Sequence, residues 1–205
     1  MKQKGYLYAA VALLVAAFVW TSYQVKRSEM GVSGSGARRD SQSPAAGLTG
    51  RKAPGFTLVS PGGKKVSLAE FEGKNVVLLD FWATWCPPCR AAMPRLAELD
   101  AKYGSKGLKV ISINQGEDGP TVSSFVKETE YKPLVLLDDG TAGDKYRVKA
   151  IPTIVIVDKT GKIRSVHEGY SPMLHRELEK ETCKLLGLKY TPETGVKGVG
   201  RYERH

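Results

Sequence analysis

The chain has 205 residues, enough for one domain with appendages or for two small domains. Its hydrophobic content of 41% and charged content of 25% are ordinary for a globular protein and exclude disorder throughout. The formal net charge of +10 favours solubility and affinity for an anionic membrane surface. Nucleic-acid binding is not indicated, because the Lys and Arg residues are scattered and form no basic patch interleaved with aromatic residues.

The N-terminal segment predicts a membrane anchor. Residues 1–5 form a short basic tail, and residues 6–25 carry no charge and are mostly apolar. An apolar helix of about 18 residues spans about 27 Å, close to the hydrocarbon thickness of a bilayer. A cleaved signal peptide is the alternative, with residues 15–17 as the cleavage site, but the apolar run continues through Trp20. We expect an uncleaved single-pass anchor, although the flanking positive charges do not settle its orientation.

The rest of the chain divides by composition. Residues 26–47 are rich in Gly and Ser and predict a flexible linker. Residues 48–189 carry the regular hydrophobic patterns of a folded domain, and residues 190–205 predict a loose tail.

Helical and extended patterns alternate within residues 48–189. Phe56–Val59 and Lys65–Leu68 flank a Pro-Gly-Gly turn and predict a hairpin. Further strands are predicted at Asn75–Trp82, Leu108–Ile113, Leu134–Leu137, Ile154–Val157 and Ile163–Val166. Helices are predicted at Pro87–Tyr103, from Asp118 or Gly119 onward, and at Pro172–Leu186. This order indicates an α/β fold whose sheet is covered on both faces.

The spacing of two cysteines predicts redox chemistry. Cys86 and Cys89 lie where the predicted buried strand at Asn75–Trp82 meets a helix, and residues three apart on a helix are neighbours. Free amides and the dipole at a helix start stabilise a thiolate, the nucleophile of thiol–disulfide exchange. We therefore expect Cys86 to be the exposed nucleophile and Cys89 the more buried resolving thiol.

Other uses of these residues are less favoured. A zinc site needs four ligands, and no second Cys pair is present, while His167 and His175 lie far along the chain. An inert disulfide closing so short a loop gains little stability. Cys183 is predicted to lie on the last helix, pointing away from its apolar side, as an exposed free thiol.

At these motifs the sequence resembles the TlpA-like and ResA-like thiol-disulfide oxidoreductases of the thioredoxin superfamily. The resemblance runs from about Lys52 to Leu186. The matching segments are Ala53–Phe56, Gly73–Val77, Phe81–Arg90, Met93–Pro94 and Ala150–Thr153. Many ResA-like proteins have Glu where this chain has Ala92, and Asn where it has Asp80, so the acid has changed place.

The resemblance implies a thioredoxin-like fold, with a central mixed sheet flanked by helices and an N-terminal β-hairpin extension. It also implies a cis peptide bond before Pro152, which would set the backbone of Ile151 beside Cys86 to bind a partner chain. Trp85, Pro87 and Pro88 complete the expected substrate-binding residues.

Asp80 is expected to act as a proton shuttle for Cys89. It interrupts an apolar strand, where burial should raise its pKa, and it matches the buried acid of thioredoxins. An acid that reaches solvent at the strand end is the alternative.

The resulting expectation is an anchored enzyme whose catalytic domain faces the periplasm or extracytoplasmic space and which uses no cofactor or metal. It would reduce protein disulfides, with a membrane or envelope thiol as electron donor, in cytochrome c maturation or envelope redox homeostasis. A metallochaperone or a thiol peroxidase on the same fold is the alternative.

Overall fold

The computed structural model describes residues 43–192. The predictions for residues 1–5 and 6–25, and for most of the linker and the C-terminal tail, lie outside the described residues. Within residues 43–192, no helix combines the length and the apolar character needed to cross a bilayer.

A seven-stranded mixed sheet organises the described part of the chain. Its strands are β1 (Thr57–Val59), β2 (Lys65–Ser67), β3 (Val76–Trp82), β4 (Leu108–Gln115), β5 (Leu134–Asp138), β6 (Thr153–Val157) and β7 (Ile163–Glu168). The spatial order is β2-β1-β5-β4-β3-β6-β7, so the β1–β2 hairpin extends one edge. Strand β3 pairs in parallel with β4, which pairs in parallel with β5, and the remaining pairs are antiparallel.

Four α-helices accompany this sheet in the described residues. They are α1 (Pro87–Tyr103), α2 (Gly119–Glu128), α3 (Thr141–Lys145) and α4 (Leu174–Leu186). Short 3₁₀ turns lie at Ala46–Leu48, Leu68–Phe71 and Gly104–Lys106. Together with the sheet, these helices confirm the predicted α/β architecture and its hairpin extension.

Strand β3 lies inside the sheet, between β4 and β6, and all of its residues are buried. Successive side chains of a strand point to opposite faces. Leu79 and Phe81 accordingly pack in one core cluster, whereas Leu78 packs with Leu96 of α1 in another. Asp80 has the same parity as Leu78, so it lies on the face of the sheet that α1 covers.

The starts of α1 and α2 follow from local sequence. Each has Pro in its first turn, where the missing amide hydrogen has no intrahelical partner to lose. The Asp118 carboxylate accepts a 2.8 Å hydrogen bond from the Thr121 amide, which caps α2 as predicted.

The prediction that Cys183 is an exposed thiol is wrong. Cys183 is 1% exposed and packs among the apolar residues between α4 and α1. Glu179, one turn earlier, is also buried, because its carboxylate accepts hydrogen bonds from Lys102 Nζ at 2.8 Å and Tyr103 Oη at 2.7 Å. Because Glu179 is charged, the sequence pattern indicated that the face of α4 carrying Glu179 and Cys183 is exposed. The predicted buried face of α4 was therefore narrower than the observed one.

Helix α3 was not predicted. The Asp138 carboxylate at the end of β5 accepts hydrogen bonds from the Ala142 amide at 2.9 Å and the Gly143 amide at 2.8 Å. This tertiary support from a strand end stabilises a single short turn that its own sequence would not hold.

Candidate active site

Cys86 and Cys89 form a disulfide at the start of α1. Their Cα atoms are 5.3 Å apart, and Cys86 is the N-cap residue of the helix. The Cys89 amide donates a hydrogen bond of 3.3 Å to Cys86 Sγ. A backbone donor aimed at this sulfur stabilises negative charge on it once the disulfide is opened.

The expectation that Cys86 is exposed is wrong for the disulfide state. Cys86 is 3% exposed and Cys89 is 1% exposed. Both lie in a core cluster with Trp82 and Met93, against which Ile151 also packs. Cys86 is covered because it packs in this cluster and its sulfur faces the loop before β6.

The loop before β6 supplies one wall of the site. The Ile151–Pro152 peptide bond is cis, as expected. The Ile151 carbonyl oxygen lies 3.8 Å from Cys86 Sγ, a contact that becomes a hydrogen bond only when the sulfur carries a proton. Ile151 is half-buried and Pro152 is buried.

The opposite wall is exposed. Trp85 is 67% exposed, and Pro87 and Pro88 are also exposed. Trp82, by contrast, is fully buried and stacks at a tilt on Phe125 of α2, with ring centroids 5.3 Å apart. The two tryptophans therefore differ in role, since one packs in the core and the other is presented at the surface beside the disulfide.

Asp80 lies buried on the face of the sheet that α1 covers, with 1% exposure. Its Oδ2 accepts a 3.3 Å hydrogen bond from Ser112 Oγ, and its Oδ1 has no hydrogen-bond partner among the described residues. Desolvation raises the pKa of Asp80 to about 7, against a smaller lowering by the Ser112 bond. The raised pKa agrees with the effect expected from burial, and the side chain does not reach solvent at the strand end.

Glu117 is a site residue that sequence reasoning missed. Its carboxylate accepts hydrogen bonds from the Thr84 amide at 2.7 Å, from the Thr84 hydroxyl, and from Asn114 Nδ2 at 2.7 Å. Burial alone would raise the pKa of Glu117, but the bonds from Thr84 and Asn114 lower it overall, so the carboxylate stays ionised. Glu117 thereby holds the segment just before Cys86.

The place of Glu117 follows from the pairing of two strands in the folded sheet. Strands β3 and β4 are parallel and in register from Val76 with Leu108 to Trp82 with Asn114. Their carboxyl ends therefore meet at one edge of the sheet, where loops commonly build sites. The polar residues that follow β4 therefore lie next to the loop that follows β3.

The two histidines among residues 43–192 lie on elements other than α1. His167 is on β7, where Nε2 lies 3.2 Å from Ser165 Oγ and 3.7 Å from a Glu181 carboxylate oxygen. His175 is in the first turn of α4 and is half-buried. Within residues 43–192 there is no group of three or more Cys, His, Asp or Glu residues placed to hold a metal ion.

Comparisons with known proteins agree with the motifs. The Redoxin family model matches residues 48–181. Thiol-disulfide oxidoreductase ResA of Bacillus thuringiensis subsp. konkukian (strain 97-27) is 41% identical over 115 residues, which are 56% of this chain and 66% of that protein. Thioredoxin-like protein YneN of Bacillus subtilis (strain 168) is 36% identical over 135 residues, covering 64% of this chain and 77% of that protein.

A solved structure shares the fold. The crystal structure of a Chlorobium tepidum protein assigned as a thiol:disulfide interchange protein DsbE superposes with a TM-score of 0.64 and 35% identity. The match covers 68% of this chain and 98% of that one. These matched proteins are of the kind that the sequence motifs resemble, and the structural match confirms the thioredoxin-like fold.

Proposed function

The chain belongs to the Redoxin family, and on that premise we propose that it is a thiol-disulfide oxidoreductase that reduces protein disulfides with Cys86 and Cys89. The observation that carries the proposal is the disulfide at the N-terminus of α1, with the Cys89 amide bonded to Cys86 Sγ. This geometry favours a thiolate at position 86 over one at position 89, because only Cys86 receives the helix-start amide.

The reaction has two exchange steps. The Cys86 thiolate attacks a substrate disulfide, forms a mixed disulfide and expels one substrate thiolate, which takes a proton from solvent. Cys89 then loses its proton and attacks Cys86 Sγ, which releases the second substrate thiolate, and this thiolate also takes a proton from solvent. The substrate disulfide gains two electrons and two protons, and the enzyme is left as the Cys86–Cys89 disulfide.

Asp80 is the proposed acceptor of the Cys89 proton in the second step. It lies on the α1 face of the sheet, is buried, and has a pKa near neutrality. A base whose pKa lies near the working pH is the most effective for proton transfer. When an electron donor reopens the disulfide, the same carboxyl returns the proton to Cys89.

The substrate is proposed to lie across the two walls of the site. Trp85, Pro87 and Pro88 present an exposed apolar rim. The Ile151 carbonyl, beside Cys86 Sγ and before the cis Pro152, is the proposed backbone contact for an extended partner chain. Exposed aromatic side chains at such a rim supply contact area at low entropic cost.

The location is also a proposal. The uncharged run at residues 6–25 supports a single-pass membrane anchor, with the catalytic domain on the periplasmic or extracytoplasmic side. A membrane or envelope thiol would then supply electrons, and disulfides of envelope proteins, including apocytochromes c, would be the substrates. Fusion of alkaline phosphatase after residue 192 tests the topology, since a cytoplasmic domain would leave the fusion inactive.

The chemistry is tested with single cysteine variants and insulin as a model protein disulfide. Cys86→Ser should abolish reduction, and Cys89→Ser should accumulate a mixed disulfide that the wild type resolves. Cys183→Ser is the matched control and should keep the wild-type rate, because that thiol is buried in another core cluster. A Cys86→Ser protein that still reduces insulin would refute the proposal.

The reduction potential of the pair gives the direction. Equilibration with glutathione should place it near about −270 mV for a reductant, whereas a value near about −120 mV would indicate an oxidant. Peroxide turnover or stoichiometric copper binding by the reduced pair would instead support the peroxidase or metallochaperone alternative.

A further inference from the structure

We propose that Ser112 and Tyr131 form a proton relay that connects the buried Asp80 carboxyl with a cavity beside α1. The proposal rests on the role of Asp80 in the proposed function and deepens it. It addresses how a proton leaves a carboxyl group that solvent does not reach directly.

The relay is continuous in its hydrogen bonds. Asp80 on β3 and Ser112 on β4 are directly paired in the parallel register, and Ser112 Oγ lies 3.3 Å from Asp80 Oδ2. Ser112 Oγ also lies 2.8 Å from the Tyr131 hydroxyl. A serine hydroxyl can donate one hydrogen bond while accepting another, which is what a link in a relay requires.

All three groups are enclosed. Ser112 is 0% exposed, Asp80 1% and Tyr131 7%. Tyr131 packs in the same core cluster as Cys86 and Cys89. The relay therefore lies on the face of the sheet that α1 covers, and its tyrosine packs in the cluster that holds the disulfide.

The outer end of the relay is a cavity of about 250 Å³ between α1 and α2. Tyr131 lines it together with Arg90 and Met93 of α1, Phe125 of α2 and the neighbouring Glu130. A water occupies about 30 Å³ of liquid, so the cavity has room for several. Tyr131 therefore both bonds Ser112 and lines this space, and the proposal is that its hydroxyl exchanges protons there.

Charged side chains other than Asp80 also lie near the relay. Arg90 lies over the Phe125 ring at 5.7 Å from its centroid, and Glu130 borders the cavity. Asp100 of α1 acts on Tyr131 electrostatically, while its carboxylate accepts a 3.2 Å hydrogen bond from the Val110 amide. Burial, followed by the Asp80 charge, raises the pKa of Tyr131 well above its usual range, so Tyr131 keeps a proton and conducts by exchange.

The transfer balances as a chain of exchanges. After Asp80 has taken the Cys89 proton, its carboxyl O–H passes that proton to Ser112 Oγ. The Ser112 hydroxyl passes its own proton to the Tyr131 oxygen, and the Tyr131 hydroxyl passes its own to water in the cavity. Each hydroxyl loses one proton and gains one, and Asp80 is left ionised for the next turnover.

The experiment measures how fast the mixed disulfide is resolved. The reduced protein is mixed with glutathione disulfide, quenched in acid at intervals and weighed by mass spectrometry, so that the mixed disulfide is followed directly. Tyr131→Phe and Ser112→Ala are compared with the wild type and with Asp80→Asn across the neutral pH range. Tyr146→Phe is the matched control, because Tyr146 is a buried tyrosine in the core cluster that also holds Leu79 and Phe81. Its hydroxyl bonds the Pro54 carbonyl.

General acid–base groups contribute at least about a hundredfold to rate. Tyr131→Phe and Ser112→Ala keep Asp80 and lose only one link of its relay, so we expect a smaller effect, a slowing of resolution by about tenfold. Added imidazole, small enough to carry protons into the cavity, should recover most of the rate in Tyr131→Phe and none in Asp80→Asn. Tyr146→Phe should resolve at the wild-type rate. Rescue separates proton transfer from a structural effect, because a misplaced helix would not respond to buffer.

Two outcomes would overturn the relay. If Asp80→Asn is slow while Tyr131→Phe resolves at the wild-type rate, Asp80 exchanges its proton by another route. If Asp80→Asn also resolves normally, the role of Asp80 falls with the relay, although the two-cysteine chemistry stands. Should Ser112→Ala fail to fold, Tyr131→Phe and its imidazole response decide the question alone, because the ring that fills the core is retained.

Discussion

Asp80 should make the folded protein less stable as the pH rises, and Asp80→Asn isolates that effect. The pKa of this carboxyl is 3.8 when unperturbed and about 7 in the folded protein, where burial outweighs the Ser112 hydrogen bond. Below the lower value both states are protonated, so folding carries no ionisation penalty. Between the two values only the unfolded chain loses its proton, which destabilises the fold by about 1.4 kcal/mol per pH unit.

The total follows from the size of the shift. A displacement of about three units corresponds to about 4 kcal/mol, fully developed above the folded pKa. Between pH 5 and pH 8 the unfolding free energy of the wild type, minus that of Asp80→Asn, should fall by about 3 kcal/mol. Taking this difference removes the contributions of all other titrating groups that the two proteins share.

The assay is urea denaturation at a series of pH values, with both proteins kept in the disulfide form so that neither active-site thiol titrates. Asp158→Asn is the control. Burial would raise the pKa of Asp158, but hydrogen bonds from Thr160 and Lys162 and the charge of Arg164 lower it overall, so its titration lies below this range. Its difference curve should stay flat, and an equally flat curve for Asp80→Asn would refute the reasoning.

Three further predictions concern the rest of the site and the core. Glu117→Ala leaves the Thr84 amide and hydroxyl without their acceptor and should lower the unfolding free energy by about 2 kcal/mol, whereas Glu117→Gln, which keeps an accepting oxygen, should lose less. Cys183, 1% exposed, should react with a thiol reagent only in denaturant, and prompt labelling of the native protein would contradict its burial. Trp85→Ala removes a side chain that is 67% exposed, so it should change stability by less than about 0.5 kcal/mol yet slow reduction of a protein disulfide; an unchanged rate would exclude Trp85 from the docking rim.

The sequence alone determined the elements whose signals are local. The bounds of α1 at Pro87–Tyr103 agree with the prediction, because proline in the first turn and the cysteine spacing both mark the helix start. Strand β3 was predicted from an apolar run broken only by Asp80, and such a run is typical of a strand covered on both faces. Asp80 stood out within that run because an acid there has no local reason to be present.

Only the tertiary structure decided which distant residues meet. Parallel pairing of β3 with β4 brings Glu117 to Thr84 and Ser112 to Asp80, and each pair is separated by more than thirty residues in the chain. Burial of Cys183 likewise depends on α1 satisfying the Glu179 carboxylate, which no pattern within α4 reveals. Periodicity reports the faces of one element at a time, whereas hydrogen-bond partners and burial are set by the register between elements, and that register exists only once the chain has folded.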